Sequence, residues 1–149
     1  MKVLIDTCVV VDLLQKREPF AEAAYRLFQA AAEDRFDGCI TAKSATDIYY
    51  IMRRHMHDSA AARDKLNSLL TLIGMLDTAA DDVFHAISSP AADFEDAVLM
   101  ETAARCRMDR IVTRNIRDFR ESSVPVCTPE EFLEQMKRER SDQRGNFQQ

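Results

Sequence analysis

Three short apolar runs punctuate the chain, and each ends in a hydroxyl or a carboxylate. Val3-Leu4-Ile5 leads into Asp6-Thr7, Gly38-Cys39-Ile40 into Thr41, and Ile111-Val112 into Thr113-Arg114-Asn115. Runs this short and this aliphatic read as strands buried on both faces, the pattern of a parallel sheet. Longer stretches with apolar residues three and four apart lie between them and predict helices over 8–15, 20–33, 42–57, 58–73, 81–88 and 93–106. The first is apolar throughout except for Asp12. Two weaker strands are expected, at 75–77 and at 124–127, where Pro125 suits a sheet edge. Thr128-Pro129-Glu130-Glu131 carries an N-cap, a proline at the first helical position and a glutamate at the third, so a helix should start there and run to about Arg138. Strands alternating with helices predict an α/β fold, a three-layer α/β/α sandwich with a mostly parallel central sheet. Residues 1–138 are expected to form one domain, and the polar residues 139–149 a disordered tail.

Composition narrows the function classes. A chain of 149 residues that is 46% hydrophobic is long enough for one core. Its net charge of −5 argues against a passive nucleic-acid coat, but not against an enzyme whose acids hold metal ions. Cys8, Cys39, Cys106 and Cys127 are widely spaced and form no metal-ligand or disulfide pattern, so reduced thiols and a cytoplasmic setting are expected. No apolar run approaches the ~20 residues of a membrane span.

The candidate chemistry is acidic. In an open parallel sheet, ligands bind at the carboxyl ends of the strands. Asp6 lies there, and Thr41 and Thr113 should arrive beside it. Asp47, the Asp93/Asp96 pair on one helix face, and Asp118 near Asn115 fall close to the same edge. Carboxylates crowded into one pocket repel unless protonated or neutralised, and all-oxygen donors suit Mg²⁺ or Mn²⁺. Such ions can activate water against a phosphodiester. Lys43, Arg53 and Arg54 on one helix, and Arg114, Arg117 and Arg120 after the third strand, would hold the polyanion. No histidine–serine or histidine–cysteine constellation, phosphate-binding loop or dinucleotide fingerprint is present.

Taken in order, Val3-Leu4-Ile5-Asp6-Thr7, Thr46-Asp47-Ile48-Tyr49-Tyr50, Phe94-Glu95-Asp96-Ala97, and Ile111-Val112-Thr113-Arg114-Asn115 with Asp118-Phe119 resemble the PIN-domain family, and within it the VapC-like toxin ribonucleases. The resemblance runs from Met1 to about Leu133. It implies metal-dependent cleavage of RNA, with Asp6 and Asp96 as main metal ligands, Asp47 as a further one, Asn115 and Asp118 completing the catalytic set, and Thr7 and Thr113 in support. It further implies a homodimer held inactive by a small antitoxin. Three positions depart from the family pattern: Asp47 where glutamate is usual, Asn115 where aspartate is frequent, and Cys8 in place of asparagine or serine. Asp47 is one methylene shorter, so a water between it and a metal is expected. The competing reading is a PIN-like module that binds RNA or protein without cutting.

Overall fold

A computed structural model describes residues 1–146, with side chains through residue 143. Five strands form one sheet: β1 (Lys2–Ile5), β2 (Asp37–Thr41), β3 (Gly74–Leu76), β4 (Arg110–Val112) and β5 (Val126–Cys127). Their order is β3-β2-β1-β4-β5, and all four pairings are parallel. The chain fills one side of β1 first and then crosses to the other, so β1 is the topological switch point of the sheet.

Among the described residues, seven helices connect and cover the strands: α1 (Thr7–Leu14), α2 (Ala21–Ala32), α3 (Ala42–Met56), α4 (Ser59–Leu70), α5 (Ala80–Ile87), α6 (Phe94–Arg105) and α7 (Pro129–Asn146). Strand side chains alternate between faces, and the core divides accordingly. Val3 and Ile5 pack with Val9 and Val10 of α1, Leu27 of α2, Ile48 of α3 and Phe132 of α7. Leu4, Cys39 and Ile111 face the other way, toward Ala86 of α5 and Val98, Leu99 and Ala103 of α6. The expected three-layer sandwich is therefore present, with every strand parallel.

Capping residues set most helix starts. Asp6, Thr41, Asp58 and Asp93 each accept a hydrogen bond from a backbone N–H in the first turn of α1, α3, α4 and α6. At α7, the Thr128 N–H donates to Glu131 Oε2 (2.9 Å) and the Glu131 N–H to Thr128 Oγ1 (3.2 Å), the reciprocal box expected from the sequence. This helix does not stop near Arg138. It continues to Asn146, and only residues 147–149 of the expected disordered tail lie outside the described residues. Polarity suggested a coil there, but the stretch continues the helix through i,i+4 contacts, Ser141 Oγ donating to the Lys137 carbonyl (3.1 Å). Gln135 Nε2 donates to Glu139 Oε1 (3.0 Å), and Arg138 pairs with Glu134 (3.6 Å).

One buried network ties α5 to α6. Asp82, 1% exposed, accepts from the Ala79 N–H (2.9 Å), Thr102 Oγ1 (2.9 Å) and Arg105 Nε (2.8 Å). Burial alone would push its pKa up, but these donors outweigh burial and hold it below the ordinary carboxylate value.

Candidate active site at the carboxyl edge of the sheet

The strand registers bring the three strand-end residues into line. Leu4 lies beside Cys39 and Ile5 beside Val112, so Asp6, one step on, is level with Thr41 and Thr113. All three are buried. The Asp6 carboxylate accepts from the Thr7 N–H (2.7 Å) at Oδ1, and from Thr113 Oγ1 (2.7 Å) and the Cys8 thiol (3.3 Å) at Oδ2. Burial raises the Asp6 pKa, and these donors, with the Arg114 charge, work against the rise. Cys8 donates as a thiol because burial and the Asp6 charge push its pKa up to about 12. Thr113 Oγ1 also accepts the Asn115 N–H (3.1 Å), which ties the following loop to Asp6.

A cavity of about 290 Å³ opens above this edge. Its walls include Asp6 and Thr7 from β1–α1, Lys43 and Asp47 from α3, and Glu95 and Asp96 from α6. Asp96 sits in the first turn of α6, where Asp93 Oδ1 accepts its N–H (2.9 Å). Its pKa is pushed up to about 7, first by burial and then by Asp6, Asp93, Asp118 and Glu95. Four other acids thus act on one carboxyl, and at neutral pH the pocket carries charge without full compensation. Lys43 supplies part of it. Its ammonium lies 2.5 Å from Asp47 Oδ2 and 3.1 Å from Glu95 Oε1. Burial would lower the Lys43 pKa, but the bonds to these two acids prevail and keep it charged.

The donor set fits a small divalent cation. Among the described residues no three carboxylate, imidazole or thiol groups converge as a ready-made metal cage. Mg²⁺ does not require one, since it keeps several waters and takes one or two carboxylates. Asp6 and Asp96, which both line the cavity, would supply two. Asp47 is committed to Lys43.

The remaining expected residues are placed less centrally. Asp93 serves as the cap of α6. Asn115, Arg117 and Asp118 are exposed on the loop and the short 3-10 turn after β4, and do not line the cavity. Asp118 nevertheless contributes to the field on Asp96. Arg114 turns away from the pocket: Nε lies 2.5 Å from Asp12 Oδ2, Nη2 donates to Asp12 Oδ1 (3.2 Å), and the guanidinium stacks 4.1 Å from the Phe20 ring. Asp12 is 1% exposed. The lone acid of the apolar α1 thus anchors the loop that carries Thr113, Asn115 and Asp118. Sequence reasoning gave no role to Glu95 or Tyr50, which also line the cavity. Tyr50 could have been found by carrying the helical spacing on from Asp47, as Arg54, expected to hold the polyanion, lies on the same stripe. Glu95 had no such signal, because its partner Lys43 is distant in sequence.

Comparison with known proteins bears on the family and the fold. A family model described as the PIN domain matches residues 2–117. No curated protein matches the chain. Among solved structures, FitAcB from Neisseria gonorrhoeae is similar with a TM-score of 0.67 and 18% identity, over 85% of this chain and 97% of that one. VapBC2 from Rickettsia felis, bound to a DNA fragment from its promoter, has a TM-score of 0.66 and 16% identity, over 86% and 98%. Mycobacterium tuberculosis VapC20, a sarcin–ricin loop cleaving toxin, has a TM-score of 0.59 and 14% identity, over 73% and 86%. At these identities the likeness concerns the fold.

Proposed function

From the premise that this chain belongs to the PIN-domain family, we propose that the acidic cavity is the active site of a metal-dependent endoribonuclease, the toxin of a toxin–antitoxin pair. One observation carries the reading: Asp6 and Asp96 line one cavity at the switch point of the sheet, and burial, with the neighbouring acids, pushes Asp96 up to about 7. A buried acid cluster of this kind is costly unless a cation or a proton neutralises it. Asp6 and Asp96 would hold Mg²⁺ or Mn²⁺, with Asp47 acting through water. The bound ion supplies a lowered pKa for attacking water and a counter-charge for the phosphate. Around it, Thr113 and Thr7 hold the Asp6 carboxylate in place. Asn115 and Asp118 flank the site on the loop that Asp12 and Arg114 brace. Lys43 meets phosphate at the rim, and Arg117 extends the basic contact.

The toxin assignment rests on the fold likeness to VapBC and FitAcB proteins, one of which is a toxin that cleaves the sarcin–ricin loop. It brings with it an RNA substrate, a cognate antitoxin, a homodimer and a cytoplasmic setting. Among the described residues, no helix is long and apolar enough to cross a membrane. A non-cutting module is the second reading, and the Lys43 bridge between Asp47 and Glu95 favours it, because it occupies the second acidic position with an internal cation.

Labelled RNA incubated with the protein in EDTA, Mg²⁺ and Mn²⁺, beside Asp6→Asn and Asp96→Asn, separates the two. Cleavage that needs metal and vanishes in both variants is the expected result. RNA binding with no cleavage in either metal would establish the module instead.

A further inference from the structure

We propose that α3 carries a binding track for single-stranded RNA, running from the acidic cavity toward the end of the helix, with Tyr50 as a base-stacking platform and Arg53, Arg54 and His57 as phosphate contacts. The inference deepens the nuclease reading and rests on it for the identity of the substrate.

Positions 50, 53 and 54 are spaced at i, i+3 and i+4, so they form one stripe, and His57 caps the helix just beyond it. Lys43 and Asp47 continue that stripe into the acidic cavity. From Asp47 to Met56, the last residue of α3, the helix advances about 14 Å. A second cavity, of about 550 Å³, adjoins the first and is lined by Tyr50, Arg53, Arg54, His57 and Ser59. Tyr50 and Arg54 line both cavities and so stand between them.

Tyr50 is 59% exposed; Tyr25, Phe84 and Phe94 are exposed too, but of these four only Tyr50 lines the acidic cavity. Its ring is nonetheless held. It meets the Tyr49 ring edge-to-face with centroids 5.0 Å apart. Tyr49 is in turn fastened to α4, through its hydroxyl to Ser59 Oγ (2.9 Å) and through Arg63, 6.0 Å from the ring centroid. A braced, exposed ring beside a site for phosphate chemistry is a stacking platform with little rotamer freedom to lose.

Charge favours the same occupant. The chain is acidic, with a net charge of −5, and Lys43 shares its charge between Asp47, Glu95 and the rim of the cavity. Arg53 and Arg54 form no ion pair among the described residues. They are therefore free to meet a polyanion where it leaves the cavity. Base-paired RNA keeps its base faces in the stack, so only an unpaired segment can lay a base on Tyr50.

The test is fluorescence anisotropy with a labelled unpaired RNA, and with the same RNA annealed to its complement, in EDTA so that nothing is cut. The unpaired strand should bind more tightly. Tyr50→Ala should weaken it at least about fivefold, while Tyr50→Phe keeps the affinity. Replacing Arg53 and Arg54 together with alanine should flatten the salt dependence by about 1.4 in log–log slope, two phosphate contacts at about 0.7 each. Arg26→Ala, remote on α2 and paired with Glu22, should change nothing. Equal affinity for the duplex, or an unchanged affinity in Tyr50→Ala, overturns the track. So does sedimentation showing that Tyr50→Ala splits an oligomer while RNA affinity holds, since a second copy would then cover this face. Binding of the expected kind without cleavage in Mg²⁺ or Mn²⁺ would end the nuclease reading and leave the track standing. Cleavage with Tyr50→Ala unaffected in affinity would do the reverse.

Discussion

Asp96→Asn should make the metal-free protein more stable at alkaline pH while removing a metal ligand. The Asp96 carboxyl titrates at about 7 in the fold, against 3.8 for a free one, because of burial and the charges of Asp6, Asp93, Asp118 and Glu95. The folded protein therefore binds this proton more tightly than the unfolded chain. Between those two values the native state holds more protons, so stability falls as pH rises and is lowest once the folded group has ionised. Each tenfold in proton affinity is about 1.4 kcal/mol, so the gap sets a ceiling of about 4 kcal/mol. Solvent reaches this half-buried carboxyl, and screening brings the figure to about 1–2 kcal/mol. Asparagine removes the ionisation cost and leaves the backbone bond to Asp93 in place. It also removes a carboxylate from a helix first turn, worth about 0.3–1 kcal/mol. The net gain should be about 1 kcal/mol at about pH 8, shrinking to nothing near pH 4. Urea denaturation in EDTA at both values, with unchanged slope and a shifted midpoint, measures it. Adding Mg²⁺ at pH 8 should stabilise the parent and leave the variant nearly unmoved, because only a native-state site gains from ligand. A variant less stable than the parent at pH 8, or a difference that does not change with pH, would refute the reading of Asp96 as an uncompensated charge.

Three further outcomes follow from single contacts. Asp12→Ala leaves the Arg114 guanidinium, 24% exposed, without its carboxylate, and should cost about 3 kcal/mol in urea denaturation, the low end for breaking a buried pair because Arg114 reaches water. Asp12→Leu combined with Arg114→Met should recover most of that loss. Asp82→Ala should cost about 3–5 kcal/mol at neutral pH. The Asp82 carboxyl titrates below its ordinary value, so its contribution is present above the unfolded pKa and lost as pH falls through the folded one; the penalty of the alanine should accordingly shrink in acid. Lys43→Ala frees Asp47 and Glu95, and calorimetry should show tighter Mg²⁺ binding while RNA affinity falls.

The sites of these predictions differ in how far they could be read from the chain. Asp6 announced itself, since a charge directly after a strand buried on both faces needs a reason. Asp96 was visible as a helix-start acid, and only the family resemblance, not helix position or spacing, separated it from Asp93. The structure does so by geometry: Asp93 caps the helix and Asp96 looks into the cavity. Arg114 belonged to a basic cluster in the sequence, and its ion pair with Asp12 spans about a hundred residues that no local pattern connects.

What the sequence determined by itself is what local rules govern. Strand and helix periods follow from side-chain spacing, and the starts of α1, α3, α4, α6 and α7 follow from capping groups that act within four residues. Strand ends in hydroxyl or acid placed the candidate chemistry at one sheet edge. Only the tertiary structure decided which groups face one another there. Strand order and register set Asp6 level with Thr41 and Thr113, drew Glu95 onto Lys43, and turned Arg114 toward Asp12. Those pairings depend on how two helical layers close over one sheet. Burial then sets their energies by stripping water from some charges and leaving others wet, and no stretch of sequence carries that information alone.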